Sequence, residues 1–212
     1  MLVGISAGVS YGALGSTHHS LHDFAALRAI NNITIIAPAD NRETRAAVRH
    51  AAAAPRPVFL RFGKAAMPDL PGTEQDLVVG RATTLREGSD VAFLATGETV
   101  VHALLAAGHL AEQGIQSRVL SLHTVKPLDT AAVLRAGREC RAVVTVEEHL
   151  VNGGLGEACA TVLLQGGLKP RFACVGIPDE DTVTGAQADI FRHYGISMEG
   201  LAATVLRLRG TA

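Results

Sequence analysis

Tryptophan is absent, and aromatic residues make up only 4% of the 212 positions. Neither sign of charge is in excess: 19 lysines and arginines stand against 20 aspartates and glutamates, a formal charge of −1. That balance offers no basic face to nucleic acid and no polybasic tract to a membrane surface, so proteins and small molecules are the expected partners. Long apolar runs are missing as well. Stretches such as Val91-Ala95 and Val119-Leu122 are far too short to span a bilayer, and Met1-Gly8 lacks the cationic start of a secretion signal. A cytoplasmic location is the expectation. Cysteine is sparse: Cys140, Cys159 and Cys174 are isolated, with neither a CxxC pair nor metal-site spacing, which predicts free thiols and no structural zinc.

What is present is ample apolar material, 48% of the chain, enough to bury one large or two small cores. Short apolar runs alternate with longer stretches of helical periodicity, the pattern of strands joined by crossover helices, so the fold class is α/β with mainly parallel sheets. In the first part, Leu2-Ile5, Ile33-Ile36 and Val58-Leu60 read as strands, and Leu21-Ala29 and Arg42-Ala53 as helices. Pro38 and Asp40 suit the turn into the second helix, one by its rigid φ and the other as a cap. Residues 65–79, with Met67-Pro68-Asp69-Leu70-Pro71-Gly72, show turn chemistry and no periodicity, which predicts a linker. A second series follows over 80–212: strands at Val91-Ala95, Ser117-Leu120, Ala142-Val146 and Phe172-Val175, and helices at Val100-Gln113, Ala131-Glu139, Gly156-Gln165, Gln187-His193 and Met198-Arg207. By element count this second domain is complete and the first, residues 1–64, is short of strands.

Three groups of residues carry chemistry. In Gly12-Ala13-Leu14-Gly15-Ser16-Thr17-His18-His19, the glycines permit backbone conformations closed to other residues and let a ligand approach, while Thr17, His18 and His19 supply donors and acceptors. A histidine near its ordinary pKa of about 6.5 can donate to a substrate oxygen or move a proton. The plainer alternative is that both imidazoles bond only to neighbouring backbone. In Leu60-Arg61-Phe62-Gly63-Lys64, two cations lie at the carboxyl end of a strand, where open α/β sheets bind ligands, and they suit a phosphate or carboxylate. The third group runs through Val125-Lys126-Pro127-Leu128-Asp129, Glu147-Glu148-His149, Gly153-Gly154-Leu155-Gly156 and Gly176-Ile177-Pro178-Asp179. Its glycines lack the lysine of a P-loop and do not match a dinucleotide fingerprint.

The order of glycine loop, Leu27-Arg28-Ala29-Ile30-Asn31-Asn32 and Ala37-Pro38-Ala39-Asp40 resembles the pyrimidine-binding domain of transketolase-like thiamine diphosphate enzymes, and the third group resembles their C-terminal domain. The resemblance implies that His18 contacts the donor sugar, with His19, Arg61 and Lys64 as further substrate-binding residues and Gly12 and Gly15 near the cofactor. Related enzymes carry an acidic residue where Leu14 stands, a proline at Ser16, and a second arginine at Lys64, so the substrate is expected to depart from the usual ketose phosphate. Glu147, Glu148 and His149 are expected as capping or interface groups, because that domain is chiefly structural and dimerising. The Gly-Asp-Gly motif for the diphosphate and its magnesium is not found, nor is the glutamate that meets the aminopyrimidine; Glu43 and Glu74 follow the loop instead of preceding it. The implied function is therefore the C-terminal component of a split transketolase, moving a two-carbon ketol unit from a sugar or sugar-phosphate donor. Thiamine diphosphate and magnesium would be held mostly by an N-terminal partner subunit, and the C-terminal domain would form a homodimer. Deoxyxylulose-phosphate synthase-like and 2-oxoacid dehydrogenase β-like components, and a non-catalytic truncated paralogue serving assembly, are the alternatives.

Overall fold

Two adjacent isoleucines set the first sheet between two helices. Ile35 joins Phe24 in one apolar cluster, and Ile36 joins Ala47 and Ala51 in another, because successive strand side chains point to opposite faces. The structure, a computed structural model, describes residues 1–73 and 77–210. Its first part runs β1 (Leu2–Ile5), α1 (Asp23–Arg28), β2 (Thr34–Ile36), α2 (Asn41–Ala53) and β3 (Val58–Phe62), with β1 and β2 both parallel to β3. Asp40 caps α2 by accepting the Glu43 N–H at 2.8 Å, and Glu43 reaches back to the Ala39 N–H at 2.8 Å, a reciprocal arrangement that satisfies donors a helix start leaves open.

The second part runs β4 (Thr83–Arg86), β5 (Val91–Ala95), α3 (Thr99–Glu112), β6 (Ser117–Ser121), β7 (Thr124–Lys126), α4 (Thr130–Glu139), β8 (Ala142–Leu150), α5 (Leu155–Gln165), β9 (Arg171–Ile177), α6 (Gln187–His193) and α7 (Met198–Gly210). Its sheet has the order β4-β6-β5-β8-β9, parallel except at β4. Every residue of β5 is buried: Val91, Phe93 and Ala95 face the core under α3 and α7, Ala92 and Leu94 the core under α4 and α5. The result is the expected three layers. Since β5 leads to β6 on one side and α4 leads on to β8 on the other, the topological switch lies between the carboxyl ends of β5 and β8.

Two strands were not legible in sequence. In β4 all four residues are half-buried, so no alternation marks it, and β7 is three residues long, directly after β6. β7 pairs antiparallel with β2, Ile35 opposite Lys126 and Ile36 opposite Thr124. A strand from the expected second domain thus completes the first sheet, across the boundary expected at residue 80. Nor is the stretch before it a free tether. Leu70 and Thr73 are buried, and the second Asp40 oxygen accepts the Leu70 N–H at 2.8 Å and the Thr73 hydroxyl at 2.6 Å. The rest of that segment includes Glu74, which lies outside the described residues. β1 is an edge strand among the described residues, and Leu2, Val3 and Ile5 on it are exposed. Among the described residues no helix is long and apolar enough to cross a membrane.

Candidate active site

Directly after β1 the chain turns on Ser6, a non-glycine residue in the left-handed region at φ 64°. Such a conformation costs on the order of 1–3 kcal/mol unless its surroundings over-determine it, and it concentrates at functional sites. The loop that follows is closed by a two-way bridge, Gly8 N–H to Ser20 O at 3.1 Å and Ser20 N–H to Gly8 O at 2.8 Å. Within it, short 3₁₀ turns at Gly12–Leu14 and Ser16–His18 carry His18 to the surface. Its Nδ1 lies 3.0 Å from the Thr17 hydroxyl, and its ring meets the edge of Tyr11 at a centroid separation of 6.3 Å. The Lys64 ammonium stands 3.9 Å above the centre of the Tyr11 ring. Hydrogen bonding to Ser6 and the Lys64 charge hold the Tyr11 phenol below its ordinary pKa. The structure therefore gathers His18 and Lys64 around Tyr11, which sequence reasoning missed; its one signal was a lone aromatic inside a glycine-rich loop.

The other expected site residues go elsewhere. Arg61 is buried: its Nε meets Asp23 at 2.7 Å, its Nη2 donates to Ser20 O at 3.0 Å and Glu148 O at 2.8 Å, and its guanidinium lies 4.5 Å over the Phe24 ring. The expected Arg61–Lys64 anion pair does not form: Arg61 lies within β3 with its side chain buried, while Lys64 lies past the end of that strand and is exposed. His19 turns from His18 toward Thr182, Nδ1 to Oγ1 at 2.8 Å. At Gly12 a Cβ would stand 2.5 Å from both Gly185 O and Ile190 Cδ1, so its smallness serves packing within the chain. Gly15, at φ 79°, provides the turn between the two 3₁₀ segments and faces the Thr184 hydroxyl.

Beneath the loop lies a buried polar cluster. Gln187 Nε2 donates to Glu98 at 2.7 Å and to Glu148 at 2.9 Å, while the same Glu148 oxygen accepts the Val9 N–H at 2.8 Å. Burial pushes the Glu148 carboxyl up to about 8, with Arg61 opposing and Glu98 adding to the rise. Glu98 is raised by burial as well, against Gln187 and Arg61. Glu98 also borders a cavity of about 160 Å³ at the carboxyl ends of β2 and β3, with Asn41, Phe62, Gly63 and Met67. Larger clefts, about 390 Å³ near Arg81 and Arg135 and about 420 Å³ near His50 and Lys126, share no residue with it.

Glu147 and His149 have internal partners. Glu147 accepts the Leu155 N–H at 2.6 Å and the Gly156 N–H at 2.8 Å. The start of α5, where Gly153-Gly154-Leu155-Gly156 could have cradled a phosphate, is thus filled by the chain's own carboxylate, as the capping expectation has it. Burial lowers the His149 pKa to about 4. A neutral ring agrees with its bonds, Nε2 accepting the Ala25 N–H at 3.3 Å and Nδ1 donating to Leu150 O at 2.6 Å. Among the described residues no group of three or more His, Cys, Asp or Glu side chains is placed to hold a metal ion.

Residues 1–69 match the family model described as the transketolase pyrimidine binding domain, and residues 80–201 the model of the transketolase C-terminal domain. A subunit of the apulose-4-phosphate transketolase of Phocaeicola vulgatus is 44% identical over 206 residues, covering 97% of this chain and 65% of the relative. A 1-deoxy-D-xylulose-5-phosphate synthase of Thermomicrobium roseum is 40% identical over 200 residues, covering 93% of this chain and 32% of that one. Among solved structures, a split-gene transketolase described as an inactive beta4 tetramer superposes with a TM-score of 0.84 at 33% identity, covering 97% of this chain and 65% of that one. The chain thus spans about two thirds of the length of the split-transketolase relatives it matches.

Proposed function

The chain belongs to the transketolase family, and from that premise we propose that it is the C-terminal component of a split transketolase-type transferase. In this reading the assembled enzyme moves a two-carbon ketol unit from a ketose donor to an aldose or related acceptor, using thiamine diphosphate. The observation that carries it is the exposed group of His18, Tyr11 and Lys64 on the glycine loop and the adjoining end of β3, the edge of the first sheet from which ligands are read. His18 donates to, or takes a proton from, a substrate oxygen. The Lys64 ammonium anchors an anionic end of the substrate, as a point charge without the bidentate fork of an arginine. The phosphate in the name of the Phocaeicola relative supports a sugar phosphate. Leu14 offers no acceptor to a donor hydroxyl, which favours a donor other than the usual ketoses.

The cofactor supplies the carbanion chemistry when bound, and a partner subunit contributes its metal and diphosphate site. The word subunit in the name of the Phocaeicola relative supports such a partner. Co-purification of this chain with a candidate N-terminal subunit, followed by ketol-transfer assays over a panel of ketose phosphates, tests the reading. Transfer only with both chains present is the expected result; no transfer from any donor, with both chains folded and associated, overturns it. A synthase-like reading, favoured by the 40% identical synthase, predicts consumption of pyruvate with release of CO₂ in the same assay.

A further inference from the structure

The crevice at the carboxyl ends of β5, β8 and β9 is where an open α/β sheet ordinarily takes a ligand. Here the glycine loop of the first part fills it. Glu148 accepts the Val9 N–H, Gly185 N–H donates to Gly12 O at 3.2 Å, Thr182 meets His19, and Gln187 Nε2 lies 3.5 Å from the Ser10 hydroxyl while bridging Glu98 and Glu148. There is no slack in this fit. A Cβ on Gly8 would stand 2.2 Å from the Glu148 side chain, and one on Gly63, next to Lys64, 1.4 Å from the Glu98 carboxylate. Glu148 is therefore seated against the loop that presents His18, and Glu98 against the strand end that presents Lys64. One amide joins them.

We propose that Gln187 is a positioning residue of the active site: by tying Glu148 to Glu98 it sets the glycine loop, with Tyr11 and His18, in register with Lys64. The domain expected to be chiefly structural and dimerising then has a direct part in arranging the site. This rests on the reading of His18 and Lys64 as substrate-contacting groups, but its decisive test does not. The charged groups acting on Glu148 are Arg61 and Glu98, and the Arg61 guanidinium is itself paired with Asp23. Ionised above its raised pKa, Glu148 keeps its bonds from Gln187 and Val9, which favour the charged form, but as a buried carboxylate facing Glu98 it makes opening of the seam less costly.

The chain has no tryptophan and two tyrosines, so phenolate absorbance of the full chain reports Tyr11 with Tyr194 as internal control; burial raises the Tyr194 pKa while Tyr11 is lowered. Gln187→Met keeps the side chain's length and removes both donors. The expected result is that the lower of the two midpoints returns toward the ordinary value of about 10 while the Tyr194 midpoint stays. An unchanged Tyr11 midpoint, even with a lowered melting temperature, would show that Gln187 only adds stability and overturn the proposal. If the variant does not fold, the unmutated chain decides. Backbone amides of residues 7–20, corrected for intrinsic rate and compared with β5, are expected to exchange faster as pH rises from about 6 to about 9; protection that stays parallel to β5 overturns it. In the assembled enzyme, Gln187→Met is expected to lower kcat about tenfold with KM little changed. A shifted Tyr11 midpoint with no ketol transfer by any form would sink the functional reading and leave the clamp standing.

Discussion

Lys64 stands 3.9 Å over the ring of Tyr11, while Arg61, three residues earlier, points into the protein and pairs with Asp23 at 2.7 Å. The two cations should therefore respond differently to removal. Arg61→Ala strands the Asp23 carboxylate and two backbone carbonyls and should cost about 3 kcal/mol of stability, read by chemical denaturation. Lys64→Ala should leave stability within about 0.5 kcal/mol and raise KM for a phosphorylated substrate more than for its unphosphorylated analogue. A marginal loss of stability in Arg61→Ala would put its side chain at the surface.

His18→Ala should lower ketol transfer by the assembled enzyme by about 10²- to 10⁴-fold, the range for a positioned acid or base, with the fold intact by circular dichroism. Its His19 counterpart should lose stability instead, because that imidazole ties the glycine loop to Thr182.

Asp40 holds three donors at once: the Glu43 N–H, the Leu70 N–H and the Thr73 hydroxyl. Asp40→Ala removes a helix cap and leaves buried donors unpaired, an expected loss of about 3 kcal/mol. Proteolysis between residues 65 and 73 should accelerate in the same variant, whereas Asp40→Asn, which keeps the capping oxygen, should lose less.

Stability should decline as pH rises through neutrality. Burial raises Glu43 and Glu147 to about 7 and Glu148 to about 8, above the unfolded value of about 4.3. In that window the folded chain holds more protons than the unfolded one, so raising pH favours unfolding. His123 and His149, lowered by burial to about 4, act oppositely up to their unfolded pKa of about 6.5, so the net decline is steepest between about 6.5 and about 8. Denaturant midpoints across that range check it. Glu148→Gln should flatten the upper part of the curve, and a midpoint that climbs with pH would contradict the burial of these acids.

Strands buried on both faces, such as Val91–Ala95, were legible because five apolar residues between turn signals suit little else, and α6 because its helical spacing is intact over Gln187–His193. Capping chemistry at Asp40 was legible for the same local reason. What sequence hid was partnership at long range. Gln187 and Glu98 are 89 positions apart, Val9 and Glu148 139, and nothing in the spacing of either says that they meet. Local motifs were equally silent about direction, so Arg61, three residues before the exposed Lys64, and His19, next to the exposed His18, were placed with those residues when the chain turns them inward.

The antiparallel pairing of β7 with β2 bears on how such proteins can be recombined. A chimera that joins the first 79 residues of one relative to the remainder of another crosses between genes at a point that looks neutral on paper. In the folded chain it forces two histories to meet along Ile35, Ile36, Thr124 and Lys126. Viable crossovers must inherit those four positions together, along with the loop and carboxylates of the seam, so exchange between homologues is confined to blocks that the linear order of domains does not reveal.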